Sequence, residues 1–151
     1  MLQAHDQLDR RFDELRPLLK AAARPSRGWI RALREALGMT TSQLAKRLGV
    51  KQPRVIELER GEASGNVTIQ SLERAAEALG CRLVYVLIPE MPLAGTMQER
   101  ATLIANRKLA YVDQTMQLEA QAVTNKAQRK VQLQRLVDEL LHRPARLWDE
   151  P

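Results

Sequence analysis

Cysteine is nearly absent from this chain. Cys81 is the only one among 151 residues, and a single thiol cannot close an intrachain disulfide. The lone thiol suits a reducing compartment. Histidine is as scarce: His5 and His142 stand at opposite ends of the chain, whereas a zinc site needs clustered Cys and His. No metal or other cofactor is expected. At this length the chain buries a core of its own, without a disulfide or metal to support it. Aromatic residues make up only 3% of the sequence, which argues against binding single strands or RNA by base stacking. Long apolar runs are missing too. Asp6, Asp9, Arg10, Arg11, Asp13 and Glu14 interrupt the N-terminal stretch, so it does not read as a secretory signal. No stretch approaches the roughly 18 apolar residues of a membrane span. A soluble, cytoplasmic protein without a membrane partner is the expectation. There is no His–Cys–Asp/Glu constellation and no glycine-rich phosphate loop, so an enzyme is not expected.

What the chain has in plenty is positive charge. Lys and Arg total 24 against 18 Asp and Glu, a formal net charge of +6. An excess of this sign favours an anionic partner, with nucleic acid first; an ordinary basic surface would give the same figure.

The apolar pattern is helical almost throughout. Leu8, Phe12, Leu15 and Leu19 recur at helical spacing, predicting an N-terminal helix over residues 1–23 that Pro17 kinks or splits. Arg24–Gly28 breaks the pattern. Residues 24–80 hold several short helices punctuated by Gly38, Gly49 and the Gly61–Gly65 region. Residues 82–88, Arg-Leu-Val-Tyr-Val-Leu-Ile, are short, apolar and β-branched and predict one strand within 81–90, stopped by Pro89. Its backbone groups need a pairing partner. No second strong strand is apparent, so a symmetry-related copy is the economical choice. Residues 91–151 read as a C-terminal helical region, opened by a capping box of Thr96 and Glu99. Met97, Ile104, Tyr111 and Leu118 follow at seven-residue spacing, and Val131, Leu133, Leu136, Val137, Leu140 and Leu141 supply a second apolar face. A break is expected near 124–126, and Pro144 closes the region. These stripes suit a core, a dimer contact or a groove for another protein. The fold class expected is mainly α, with one strand and a long C-terminal helical arm.

The densest signal runs from Trp29 to Gly61. Thr40 and Gln43 form a capping box that opens a helix. Leu44, Ala45 and Leu48 give that helix an apolar face, and the small Ala45 permits a close helix crossing. Gly49 stands where a tight turn needs a residue free of Cβ strain. The next helix begins near Gln52, with Pro53 tolerated in its first turn. Val55 and Leu58 then face inward, leaving Lys51, Gln52, Arg54 and Glu57 outward. Gln pairs with adenine and Arg with guanine in the major groove, while Lys and Arg also hold phosphates. A further helix from Thr68 to Leu79 closes the core with Ile69, Leu72, Ala75, Ala76 and Leu79.

This segment resembles the Xre-type, phage-repressor-like helix-turn-helix family. The matching residues are Thr40, Leu44, Ala45, Gly49, Val50, Gln52, Val55, Leu58, Glu59, Arg60 and Gly61. The resemblance implies duplex DNA binding through Thr40, Thr41, Lys46, Arg47, Lys51, Gln52, Pro53, Arg54, Glu57 and Arg60. It also implies a homodimer on a palindromic operator, acting as a transcriptional repressor. Two positions depart from the family pattern. Lys51 replaces the usual Ser or Thr N-cap, and Ile56 is apolar on an outward face, suited to a thymine methyl or to another element.

The flanks extend the resemblance. The Arg-Pro-Ser-Arg-Gly-Trp entry at 24–29, the Leu-Gly-Cys-Arg-Leu-Val-Tyr stretch at 79–85 and the terminal Arg-Leu-Trp-Asp-Glu at 146–150 are similar to the family called mobile mystery protein A. Its members are encoded beside a Fic-domain protein, an arrangement that resembles a toxin–antitoxin pair. Fic antitoxins often carry Ser/Thr-x-x-x-Glu-Gly/Asn on a helix, the glutamate blocking the toxin's nucleotide site. Thr115-Met-Gln-Leu-Glu119 matches that motif, with Ala120 at its last position, so Thr115 and Glu119 are the implied toxin-inhibitory residues. A solvated Glu on an amphipathic helix fits the same pattern. The alternative is a stand-alone Xre-type regulator whose C-terminal helix serves dimerisation only.

Overall fold

The computed structural model describes residues 4–118 and 126–149, and those residues are mainly helical. They fall into two compact units, one of residues 17–87 and one joining residues 1–16 to 88–151.

The first unit holds four short helices: α2 (Trp29–Ala36), α3 (Thr41–Leu48), α4 (Gln52–Ser64) and α5 (Ile69–Ala78). The capping box expected at the start of α3 forms as the sequence implies. Thr40 and Gln43 close a reciprocal capping box on α3, and Gly49 ends that helix in the left-handed conformation at φ 66°. Thr68 caps α5 through Ser71. Lys51 opens α4 with no side-chain cap, as its substitution for a hydroxyl residue implies. Ile30, Leu44, Ala45, Val55, Ala75 and Leu79 make the core, with Leu33, Met39, Leu48, Leu58 and Leu72 packed around it. Ile69, expected in that core, is instead exposed. It is the first residue of α5, and the inward stripe begins one turn later at Leu72.

Two carboxylates enter this core from α4. Glu59 binds Arg34 of α2 through both oxygens, at 2.5 and 3.1 Å. Glu62 accepts the Trp29 and Ile30 backbone N–H groups at 2.8 and 2.9 Å, satisfying donors that the first turn of α2 cannot pair internally. Gly28, at φ 87°, leaves room for this: a Cβ there would stand 2.7 Å from Glu62 Oε2. Arg24 donates to the Glu62 and Ala63 carbonyls.

The predicted strand is not present. Residues 82–88 adopt no regular structure, and their backbone groups make no hydrogen bond among the described residues. A strand exists only through its ladder, and the described residues offer no second strand to build one.

The second unit contains α1 (Ala4–Leu15), α6 (Leu93–Leu118) and α7 (Lys126–His142). A 3-10 turn at Arg16–Leu18 ends the N-terminal helix, so Pro17 terminates rather than kinks it. The helix α1 packs on α6. Asp9 accepts the Leu93 and Ala94 N–H groups at 2.7 and 3.1 Å, and these bonds lower its carboxyl pKa. This cap from a distant helix starts α6 three residues ahead of the expected Thr96–Glu99 box. Thr96 lies inside the first turn and donates its hydroxyl to the Pro92 carbonyl. The helices α6 and α7 run antiparallel, since Asp113 pairs with Arg129 while Arg100 reaches the Leu147 carbonyl. Ala101, Ala105, Val137, Leu140 and Leu147 form the core between them. Of the seven-residue stripe, Met97 and Ile104 pack against that core and Tyr111 is exposed. The break expected near 124–126 falls largely outside the described residues, and α7 is described from Lys126 onward.

The Arg34–Glu59 pair generates a stability prediction. The two side chains retain only 10% and 8% of their accessible surface. Glu59→Leu leaves the guanidinium buried without its partner and should cost about 3 kcal/mol. Arg34→Met combined with Glu59→Leu removes both charges and should recover most of that loss. Urea unfolding followed by Trp29 fluorescence, in a Trp148→Phe background, measures both. A double variant no more stable than Glu59→Leu alone would contradict the unpaired-charge account.

Candidate nucleic-acid interface

The inward side of α4 is fixed by Val55, Glu59 and Glu62, all buried. Residues in the opposite phase, such as Pro53, Glu57 and Arg60, must then face solvent, and Gln52 is exposed because it opens the helix. Gln52, Pro53, Arg54, Ile56, Glu57 and Arg60 are all exposed. The helix α3 packs across α4 through Leu44 and Ala45. That crossing brings the first turns of the two helices together, where Gln52 Nε2 donates to Thr41 Oγ1 at 2.8 Å. One amide N–H of Gln52 is thereby occupied, and its second N–H and its carbonyl oxygen stay available. That donor–acceptor pair is the one adenine offers to bind in the major groove.

The other expected contact residues divide by their partners. Thr40 spends its hydroxyl oxygen on the Gln43 N–H at 3.1 Å, so its first task is to cap α3. Arg47 donates to the Ala78 carbonyl at 3.0 Å, closing the C-terminal end of α5. Arg54 and Glu57 pair with each other at 3.0 Å on the exposed surface. Lys46, Lys51 and Arg60 are exposed, and their side chains make no hydrogen bond or ion pair among the described residues. Free cations beside a polar helix terminus suit phosphate contacts, which position a protein on a duplex without reading its bases. The structure thus assembles Thr40, Thr41, Lys51, Gln52 and Pro53 at one helix junction. Glu57 and Arg60 lie farther along the same helix.

Of the toxin-inhibitory pair, only Thr115 lies among the described residues. Thr115 is exposed on α6 and donates its hydroxyl to the Tyr111 carbonyl at 3.0 Å. Glu119 lies outside the described residues.

Arg34 and Glu62 were not anticipated from the sequence, and Glu59 only as a residue matching the family pattern. Their signal was present: Glu59 and Glu62 fall in phase with Val55 on the inward stripe. A carboxylate in an apolar phase demands a buried partner. The bond to Glu59 raises the Arg34 pKa above its ordinary value, so the guanidinium stays charged. Glu35, at the rim, is held below the usual carboxylate range by the Arg31 hydrogen bond.

Residues 30–86 match the helix-turn-helix family. The match begins in α2, spans the α3–α4 junction and includes part of the irregular segment after α5. No match was found among curated proteins or solved structures.

The Gln52–Thr41 contact yields a prediction. Thr41→Val removes the acceptor that orients Gln52 and should weaken binding to a selected operator while leaving scrambled duplex unaffected. Gln52→Ala should lose more, about 1–3 kcal/mol, again only on the operator. Fluorescence anisotropy with both duplexes measures this. Equal losses on the two duplexes would remove Gln52 from the base-reading role.

Proposed function

Proceeding from a DNA-binding helix-turn-helix regulator of the Xre type, we propose that this protein is a dimeric repressor that reads a palindromic operator through α4. The observation that carries this is the exposed first turn of α4, with Gln52 held by Thr41 and flanked by the free Lys51 ammonium. One such helix reads only a few base pairs, and a two-fold dimer doubles the site.

The dimer contact is residues 82–88. Val84, Tyr85 and Leu87 are 78%, 69% and 85% exposed, and the backbone around them is unpaired. β-branched and aromatic side chains on an unladdered backbone are an edge awaiting a strand. A second copy supplies one by two-fold symmetry, and the segment becomes a strand in the dimer.

The second part of the reading is an antitoxin role toward a Fic-domain AMP-transferase, with autoregulation of the shared operon. Its support is the likeness to mobile mystery protein A and an apolar surface on the second unit. There Tyr111, Val112 and Leu136 line an open groove beside Arg107 and Lys108, and Val131 is exposed on α7. Thr115 stands on α6 one turn beyond Tyr111. The alternative gives α6 and α7 to dimerisation alone.

Two experiments test these parts. Val84→Pro removes a ladder donor, and light scattering should then show monomer where the parent protein is a dimer. A parent that stays monomeric at high micromolar concentration would remove the strand pairing. For the antitoxin part, Glu119→Gly should restore labelled-AMP incorporation by a co-expressed Fic protein while a pull-down still recovers the complex. Inhibition as strong as by the parent chain would assign the C-terminal helices to dimerisation.

A further inference from the structure

A second feature of the first unit lies along α4, on the side facing the start of α2. A cleft of about 230 Å³ opens there, lined by Arg27, Arg31 and Arg60 with Ile56 and Glu59. Three guanidinium-bearing side chains converge on it. The carboxylate in its wall does not neutralise them, because both Glu59 oxygens are bound to Arg34. The Arg60 side chain makes no hydrogen bond or ion pair among the described residues, and Arg27 makes none either but feels the Glu35 carboxylate at longer range. Arg31 bonds Glu35 at 2.8 Å in a partly exposed pair, the kind of contact worth little and readily exchanged. Like charges gathered around one opening repel one another, and an anion there relieves the repulsion.

The position of the cleft identifies the anion. Gln52, Ile56 and Arg60 follow one another at four-residue intervals, so all three lie on one side of α4. From Gln52 to Arg60 the helix rises about 12 Å, and the major groove of B-DNA is about 12 Å wide. A helix whose first turn meets base edges therefore carries Arg60 to the wall of the groove, where the sugar-phosphate backbone runs. We propose that Arg27, Arg31 and Arg60 form a clamp for a backbone phosphate of the bound duplex, with guanidinium forks meeting its oxygens. This inference rests on the DNA-binding reading and deepens it. Arg27 and Arg31 then join the interface from outside the helix-turn-helix itself, on the segment that enters α2 and on α2.

The test uses the full chain and two fluorescein-labelled duplexes, one of random sequence and one obtained by selection against the protein. Arg27→Gln and Arg60→Gln are compared with the parent over a range of salt concentrations. Arg135→Gln, on the exposed face of α7, controls for net charge alone. A lost phosphate contact lowers the slope of log affinity against log salt by about 0.9. Each cleft variant should therefore weaken both duplexes by the same factor. Its deficit should narrow by roughly threefold over about a fourfold rise in salt. The control should bind as the parent does, and circular dichroism should show all variants folded. Unchanged slopes for folded Arg27→Gln and Arg60→Gln would overturn the clamp. So would a loss confined to the selected duplex, which would make Arg60 a base reader, or an equal loss in Arg135→Gln. A parent protein that binds neither duplex would instead defeat the DNA-binding reading beneath it.

Discussion

The arrangement of the first unit depends on two glutamates of α4 that point the wrong way for charged residues. Glu59 and Glu62 enter the interior and take hold of α2, one through the Arg34 guanidinium and the other through the free N–H groups of its first turn. Apolar packing alone specifies little here. Two of the six core residues are alanines, and small side chains tolerate sliding. Charge-assisted hydrogen bonds are short and directional, so they fix where α4 lies against α2. Arg34 extends the same control by donating to the Met39 carbonyl at 2.9 Å, just before α3. The pair gives modest net stability because both charges are desolvated. Its consequence is orientation: with Glu59 and Glu62 inward, the phase of the helix turns Pro53, Glu57 and Arg60 outward, while Gln52 is exposed at the open first turn.

Partner assignments then decide what each outward cation has to offer. Arg47 closes α5 and Arg54 shares its charge with Glu57, which leaves Lys46, Lys51 and Arg60 without an ion-pair partner on this unit's α3–α4 face and cleft, and Arg27 with only a longer-range attraction to Glu35. A net charge of +6 says only that an anion is welcome somewhere. The ion pairs convert that excess into particular places, and those places flank the helix that carries Gln52.

The second unit uses the same physical device with different residues. Asp9 of α1 accepts the first N–H groups of α6, as Glu62 does for α2. Each long-range carboxylate satisfies donors that local sequence leaves open and ties together segments far apart in the chain. The α6–α7 core again relies on small residues, Ala101 and Ala105, which bring the helices close. Large apolar side chains are left outside it at Tyr111, Val112 and Val131.

Sequence by itself determined the local features. The Thr40–Gln43 box, the left-handed turn at Gly49, the start of α4 at Gln52 and the uncapped Lys51 all follow from interactions within a few residues. Such interactions are written directly in spacing and side-chain type. Most of the first core was legible for the same reason, because helical phase places Leu44, Val55, Ala75 and Leu79 inward. What only the tertiary structure decided were contacts between residues far apart. No local rule couples Arg34 to Glu59, Glu62 to Trp29, or Asp9 to Leu93, and no count of charges reveals that Arg47 and Arg54 already have partners. Residues 82–88 show the same division. Composition marks them as strand-forming, but a strand is a relation between two backbones, and the described chain supplies one.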